Sequence, residues 1–405
     1  MKKALIWIIG ILAALCLAIF CIWGGEIAAL GSIESVDGNP YLYRMEYKAA
    51  YDLDDVIEND IDENAELLGY VVGRIGKGLP IKIKSSQVAD EEGELATINC
   101  TSFQAAKADG NGFWYGRNYD YFKNPTLVTV SHPKKGYASI AVSDMSHFGY
   151  SLEKLPTSFG SKLNCLAAIY APVDGINEKG LCTSIMALPK QASQQDTPKH
   201  DVGTTIIMRL WLDRCATVQE ALDLLETVDV RHDAAVGSGY HYMVADAAGD
   251  CAVVEFDKED GWKTMIVRKA DGASHMLVTN HLLSEKYYTT EPDPAVGNPT
   301  ARAGGATRPQ GPTSWSVAAS SRLKRLSSAS PSSTGRTSYG TTEPSRTPST
   351  ATSTTRRTLL YTSATGTTTR PRIRLTFLNK KTQRTAILIE YGISASRNLL
   401  TISIV

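Results

Sequence analysis

Formal net charge is zero over 405 residues, of which 43% are hydrophobic. That length allows one large or two ordinary domains with a sizeable core, and the charge balance argues against a polyanionic partner such as nucleic acid. The zero conceals a split: residues 1–296 hold 26 Lys/Arg against 40 Asp/Glu, whereas residues 297–405 hold 16 against 2.

The chain begins MKK and continues ALIWIIGILAALCLAIFCIW, twenty residues without a charge. A helix of about 20 apolar residues crosses a bilayer, and Lys2 and Lys3 place the N-terminal end in the cytoplasm. Residues 1–25 therefore read as a membrane anchor, with a signal peptide cleaved at Ala29–Gly31 as the alternative. Either way the body is extracytoplasmic, anchored facing outside or secreted. Residues 26–99 form an acidic leader in which DLDDVIENDIDENAELLGYVVGRIGKGL carries apolar residues at helical spacing.

The character changes at Ala96. ATINCTSFQAAKA and FWYGRNYDY read as two strands around the turn DGNG. LNCLAAIYAPV, DGINEKG and LCTSIMAL read as strand, turn and strand. VGTTIIMRLWLDRCATVQEALDLLETV holds two amphipathic helices, the second opening at Thr217 with Glu220 three residues on, as in a capping box. YHYMVADAAGDCAVVEF is a hairpin and SHMLVTNHL a further strand. Strands, then helices, then strands imply an α+β layered fold over residues 100–296. Cys165, Cys182, Cys215 and Cys251 are able to pair as disulfides outside the cell or to sit as four buried thiols, and no cysteine or histidine has the close spacing of a metal site.

From about Asn298 the composition stops being globular. Nearly half of residues 300–370 are Ser or Thr, mixed with Arg, Pro and Gly, and no Asp follows Asp293. Such a run cannot bury enough apolar surface to offset chain entropy. Residues 297–405 are read as a disordered Ser/Thr/Arg-rich tail or as a coding sequence in a shifted frame, and no closing strands are legible there.

Cys100, between polar neighbours, is the candidate nucleophile. A thiol acts as its thiolate, and an unassisted cysteine has a pKa near 8.5, so it needs a base or a cation. His147, His241 and His281 are candidate partners without a local signature. The other solution is to cleave Asn99–Cys100, so that the freed α-amine, with a pKa near 7.7–8.0, serves as the base. That design needs a carboxylate for the ammonium and a cation for the thiol. Asp120 and Arg117 supply them from the partner strand, straddling the nucleophile if a bend or bulge falls within RNYD.

CTSF at 100–103, GRNYDY at 116–121, NEKGL at 177–181 and VTNH at 278–281 stand in the order and near the spacing of the choloylglycine hydrolase family of linear amide C–N hydrolases, which the chain resembles. The resemblance runs from Cys100 to about Val296 and implies the four-layer αββα fold of N-terminal-nucleophile hydrolases. It implies Cys100 as nucleophile after autocatalytic cleavage at Asn99, Arg117 beside the thiol, Asp120 on the α-amine and Asn280 as an oxyanion donor. Asn177 and Glu178 would lend support behind them, and residues 26–99 would be a pro-segment that keeps the enzyme inactive until removed. The substrate would be a small N-acyl amide, with no metal or cofactor implied. Bile salt hydrolases carry an Asn ten residues after the Asn of NExGL, where this chain has Ala187, which makes a bile-salt substrate less favoured. Acyl transfer by the same chemistry, a non-catalytic surface protein with a basic tail, and an unprocessed Cys/His hydrolase are the alternatives. Reading the coding DNA over codons 290–400 in its other two frames tests the tail: a shifted frame yields alternating apolar strands there, and a genuine arm yields none.

Overall fold

The structure is a computed structural model. It describes residues 2–77, 99–107, 110, 112–120, 124–189, 191–233, 238–286, 372–378, 384–393 and 398–404. The side chains of 2–4, Asn99, Asp120, Pro189 and all residues from 372 onward lie outside that description. The first strands are β1 (Glu34–Ser35), β2 (Leu42–Tyr47), β3 (Asn99–Ala106), β4 (Phe113–Asp120), β5 (Thr126–Ser131) and β6 (Ser139–Asp144). Then come β7 (Asp174–Asn177), β8 (Cys182–Pro189), β9 (His200–Gly203), β10 (Val228–Arg231), β11 (Ser238–Ala245), β12 (Cys251–Asp257), β13 (Lys263–Arg268) and β14 (His275–Val278). The last are β15 (Arg372–Leu378), β16 (Arg384–Ile393) and β17 (Asn398–Ile404). The helices are α1 (Lys2–Ser32), α2 (Leu53–Glu58), α3 (Asn64–Gly76), α4 (Ile206–Arg214) and α5 (Val218–Leu225).

Two large sheets form an α+β sandwich. One has nine strands in the order β1-β2-β5-β6-β7-β8-β11-β12-β13; the other has six, β14-β3-β4-β17-β16-β15. Strand alternation divides the nine-stranded sheet into two faces. The row Thr129, Ala141, Gly175 and Thr183 shares one face, against which α4 packs: a Cβ on Gly175 would come within 2.6 Å of the Leu212 side chain. The next row carries Val142, Asp174, Ser184 and Met243 on the opposite face, toward β3 and β4.

The expected elements recur, except that DGIN, read as part of a turn, is strand β7, and with three further differences. LNCLAAIY is not a strand but lies in a 3-10 helical segment, Gly160–Tyr170, buried from Cys165 to Tyr170. A run apolar on every side carries no period that separates buried helix from buried strand. Cys165, Cys182, Cys215 and Cys251 are all free and buried, so the four-thiol alternative holds in place of disulfides. Finally, the backbone of 372–404 forms three strands, and β17 pairs antiparallel with β4. RIRLTFL, TAILIEYGI and NLLTISI are rich in apolar and β-branched residues that composition averaged over 297–405 conceals. The Ser/Thr-rich run 300–370 itself lies outside the described residues.

The acidic leader is a working part of the sheet. β2 pairs parallel with β5, and Leu42, Met45 and Val56 are completely buried in the common core. Asp62 meets Arg231 at 2.6 Å, and the N–H of Asn64 donates to Asp233. The apolar span Leu5–Gly31 is long enough to cross a bilayer, and its far end is seated on the domain. There Trp23 Nε1 donates to the carbonyl of Ile75 at 2.7 Å, and Ala29 and Leu30 are buried. A leader so bound should stay with the rest of the chain if Asn99–Cys100 is cut. The two pieces should co-elute on native gel filtration and separate only in denaturant. Met45→Ala should cost about 2–5 kcal/mol in a denaturant melt, as for other buried methionines.

Candidate active site

The two motifs around Cys100 are register partners. Cys100 stands opposite Tyr119, Thr101 opposite Asn118, Ser102 opposite Arg117 and Phe103 opposite Gly116. Gly116 is required by its partner, because a Cβ there would lie 2.2 Å from the Phe103 ring. Directly opposed residues share a face, so Cys100, Ser102, Arg117 and Tyr119 all lie toward the nine-stranded sheet. Cys100 is 3% exposed in the intact chain.

Arg117 is the centre of this face. Its Nε donates to Asp174 Oδ1 at 2.6 Å and its Nη1 to the carbonyl of Asn118 at 3.1 Å; Nη2 donates to the carbonyl of Ile185. Its guanidinium lies over the Tyr119 ring, 5.3 Å from the centroid. Burial opposes the charge on Arg117, but Asp174 and then Cys100 outweigh it and raise its pKa, so it stays a cation. Burial pushes the Asp174 carboxyl up against the pull of Arg117. The reason is visible: both side chains are almost wholly inaccessible, and Asp174 Oδ2 has no hydrogen-bond partner among the described residues. Beside the pair, Ser184 Oγ accepts from Tyr115 at 2.6 Å and lies 2.6 Å from Ser102 Oγ. Asp174 and Ser184 were not singled out in the sequence; Asp174 stood in what read as a turn, and cross-sheet packing marks it.

Asn280 arrives just beyond β14. Its Oδ1 accepts from the Cys100 N–H at 2.5 Å, and its Nδ2 donates to the carbonyl of Ala187 at 2.8 Å. An amide has a second N–H, so this group is equipped to donate to a developing oxyanion as well. Ala187, the position where bile salt hydrolases carry Asn, thus meets Asn280 through its backbone carbonyl. Asp120 stands opposite Asn99, and no bulge interrupts the register between Asn99–Ala106 and Phe113–Asp120. The straddling of Cys100 by Arg117 and Asp120 required such a bulge; the side chain of Asp120 lies outside the described residues.

The other expected residues serve elsewhere. Asn177 Nδ2 donates to the carbonyls of Leu212 and Cys215, and its Oδ1 accepts from Lys179 and Leu181, which pins the NEKG turn to the end of α4. Gly180 completes that turn at φ 89°, where a side chain would be strained. Glu178 accepts from the N–H of Ala138 at an exposed position. His147 is exposed. His241 contacts Glu255 and Thr279, and His281 contacts Thr279 Oγ1 at 2.7 Å. None of the hydrogen bonds described for these histidines reaches Cys100.

Burial, then the charge of His241, depresses the His281 pKa to about 4, with Glu255 pulling the other way. A histidine lowered on folding is neutral in the native state and protonated in the unfolded state between pH 4 and about 6.5, so its contribution is lost as pH falls through that window. His232, buried and lowered to about 3, acts in the same direction. Unfolding free energy should therefore fall on acidification below pH 6.5. His281→Gln should flatten that slope by up to about 1.4 kcal/mol per pH unit, one proton's worth, in denaturant melts at stepped pH.

Residues 162–316 match the family model described as acyl-coenzyme A:6-aminopenicillanic acid acyl-transferase. Among solved structures, penicillin V acylase from Agrobacterium tumefaciens is similar at 21% identity, with a TM-score of 0.29, over 42% of this chain and 49% of that one. Two variants of conjugated bile acid hydrolase from Clostridium perfringens are similar at 18% identity, with a TM-score of 0.30, over 44% of this chain and 52% of theirs. The chain thus spans about half the length of the solved structures it matches. Over residues 162–316, then, the chain is similar to the penicillin acylase-like, choloylglycine hydrolase family.

Proposed function

We propose that this protein is an amidase of linear N-acyl compounds that uses Cys100 as an N-terminal nucleophile, held outside the cytoplasm by α1. The observation that carries the reading is the meeting of Asn280 with the backbone nitrogen of Cys100, on the face that also holds buried Arg117. In maturation the Cys100 thiol attacks the Asn99 carbonyl. The peptide C–N bond breaks as its nitrogen takes a proton, and water hydrolyses the resulting thioester. Cys100 then begins a new chain, and its α-amine serves as base for its own thiol. In turnover the thiolate attacks the substrate carbonyl, the oxyanion is held by the spare Asn280 N–H, the amine leaves, and water frees the acyl group. Arg117 favours the thiolate, and Asp120, one pair along from Cys100, is assigned to the ammonium.

Transfer of the acyl group to a second amine is the other reading, because the description of the matching family model names an acyl-transferase. Adding an amine acceptor separates the two: transfer yields the new amide, and hydrolysis the free acid.

Intact-mass and N-terminal sequencing of the purified chain should reveal a fragment that begins at Cys100. Cys100→Ala should leave one uncleaved mass. If the Cys100→Ala chain is cut at the same bond, another protease made the cut and the self-cleaving reading fails. In cleaved enzyme, Asn280→Ala should lower kcat by about 10²–10³, the cost of one oxyanion donor.

A further inference from the structure

Asn280 lies on a segment without regular structure, yet its amide has to meet Cys100 at hydrogen-bond distance. Two side chains from the nine-stranded sheet grip that segment. His241 on β11 and Glu255 on β12 are both wholly buried, with Nδ1 and Oε1 3.3 Å apart. His241 Nε2 lies 2.7 Å from the carbonyl oxygen of Thr279. Glu255 Oε1 accepts from the N–H of Leu283 at 2.6 Å and Oε2 from the N–H of Ser284 at 2.9 Å. The grip therefore falls one residue before Asn280 and three and four residues after it.

The protonation of the pair follows from these partners. A carbonyl oxygen only accepts, so Nε2 of His241 carries a proton. Glu255 accepts from two backbone N–H groups and faces Nδ1 as a third acceptor site. Nδ1 lies 3.3 Å from that carboxyl, so the ring spans the distance between Glu255 and the Thr279 carbonyl. Burial opposes the charge of Glu255, but the hydrogen bond and charge of His241, with the two backbone N–H groups, hold its carboxyl below the ordinary value. Hydrophobic packing alone would give a sandwich core of equal or greater stability than a buried ion pair, so stability does not account for these residues.

We propose that His241 and Glu255 are positioning residues: they set the 279–284 segment so that Asn280 reaches both Cys100 N and the carbonyl of Ala187. This rests on the reading of Cys100 as nucleophile. Neither residue touches the reacting atoms.

The test compares His241→Gln with His241→Asn in the full chain. Gln places its amide nitrogen near the place of Nε2 and keeps the bond to Thr279; Asn places it near Nδ1 and keeps only the bond to Glu255. Hydrogen exchange of the 279–284 amides reports the grip directly, and the rate at which the Cys100 fragment appears reports its consequence. Exchange should be slower, and cleavage faster by about tenfold or more, in His241→Gln than in His241→Asn, the worth of one buried hydrogen bond. In mature enzyme the difference should fall on kcat with KM little changed. Equal exchange in the two variants overturns the proposal, as does a difference in exchange without one in cleavage. A wild-type chain that never yields the Cys100 fragment sinks the nucleophile reading instead, and the exchange comparison still decides whether the pair holds the segment.

Discussion

A guanidinium buried between two β-sheets demands a carboxylate within reach, because leaving either charge alone in that interior would cost several kcal/mol. Arg117 and Asp174 meet that demand across the sandwich at 2.6 Å, and much of the remaining architecture is arranged around the pair. Asp174 comes from the nine-stranded sheet and Arg117 from the six-stranded one, so the bond fixes the two sheets in one relative setting. Ser102, Ser184 and Tyr115 continue the polar seam beside it. Cys100 sits on the same face as Arg117, two residues from Ser102, and the positive charge that the seam confines is the charge a thiolate there would use.

The leader is tied into the same sheet. β2 extends the sheet that carries Asp174, and its Leu42 and Met45 are as deeply buried as the centre of the domain. A sheet stripped of that strand would expose both an apolar face and an unpaired edge. The end of α1 is packed against the same unit through Trp23 and Leu30, so an apolar helix leads into the domain without a loose tether. The regulation envisaged for residues 26–99 is therefore more naturally a matter of cutting one bond than of discarding a segment.

Asn280 links the polar seam to the nine-stranded sheet by a second route. Its amide bridges Cys100 N and Ala187 O, and the segment that carries it is held by His241 and Glu255 from the inner face. Strands β8, β11 and β12 thus hold Asn280 and its segment, and Asn280 in turn meets the β3 backbone at Cys100.

Local features were legible in the sequence. The hairpin of β3 and β4 follows from a glycine-rich turn that leads into the aromatic run FWYGRNYD; the helix opening at Thr217 follows from its cap, since Thr217 accepts from Glu220 N at 3.1 Å. Cys100, Arg117 and Asn280 stood out as candidates because their neighbours spell recognisable motifs. What involved pairing at long range was not legible. Nothing in DGIN marks Asp174 as buried opposite Arg117, nothing near Ala187 shows that its carbonyl would hold an asparagine 93 residues away, and the strands at 372–404 were lost in a composition average. The sequence by itself determined periodicity, turns and caps, because these are set by residues within one helical turn or one hairpin. Only the tertiary structure decided which buried charges meet and which amide reaches the cysteine, because those choices depend on sheet register and on the cost of burying a charge alone.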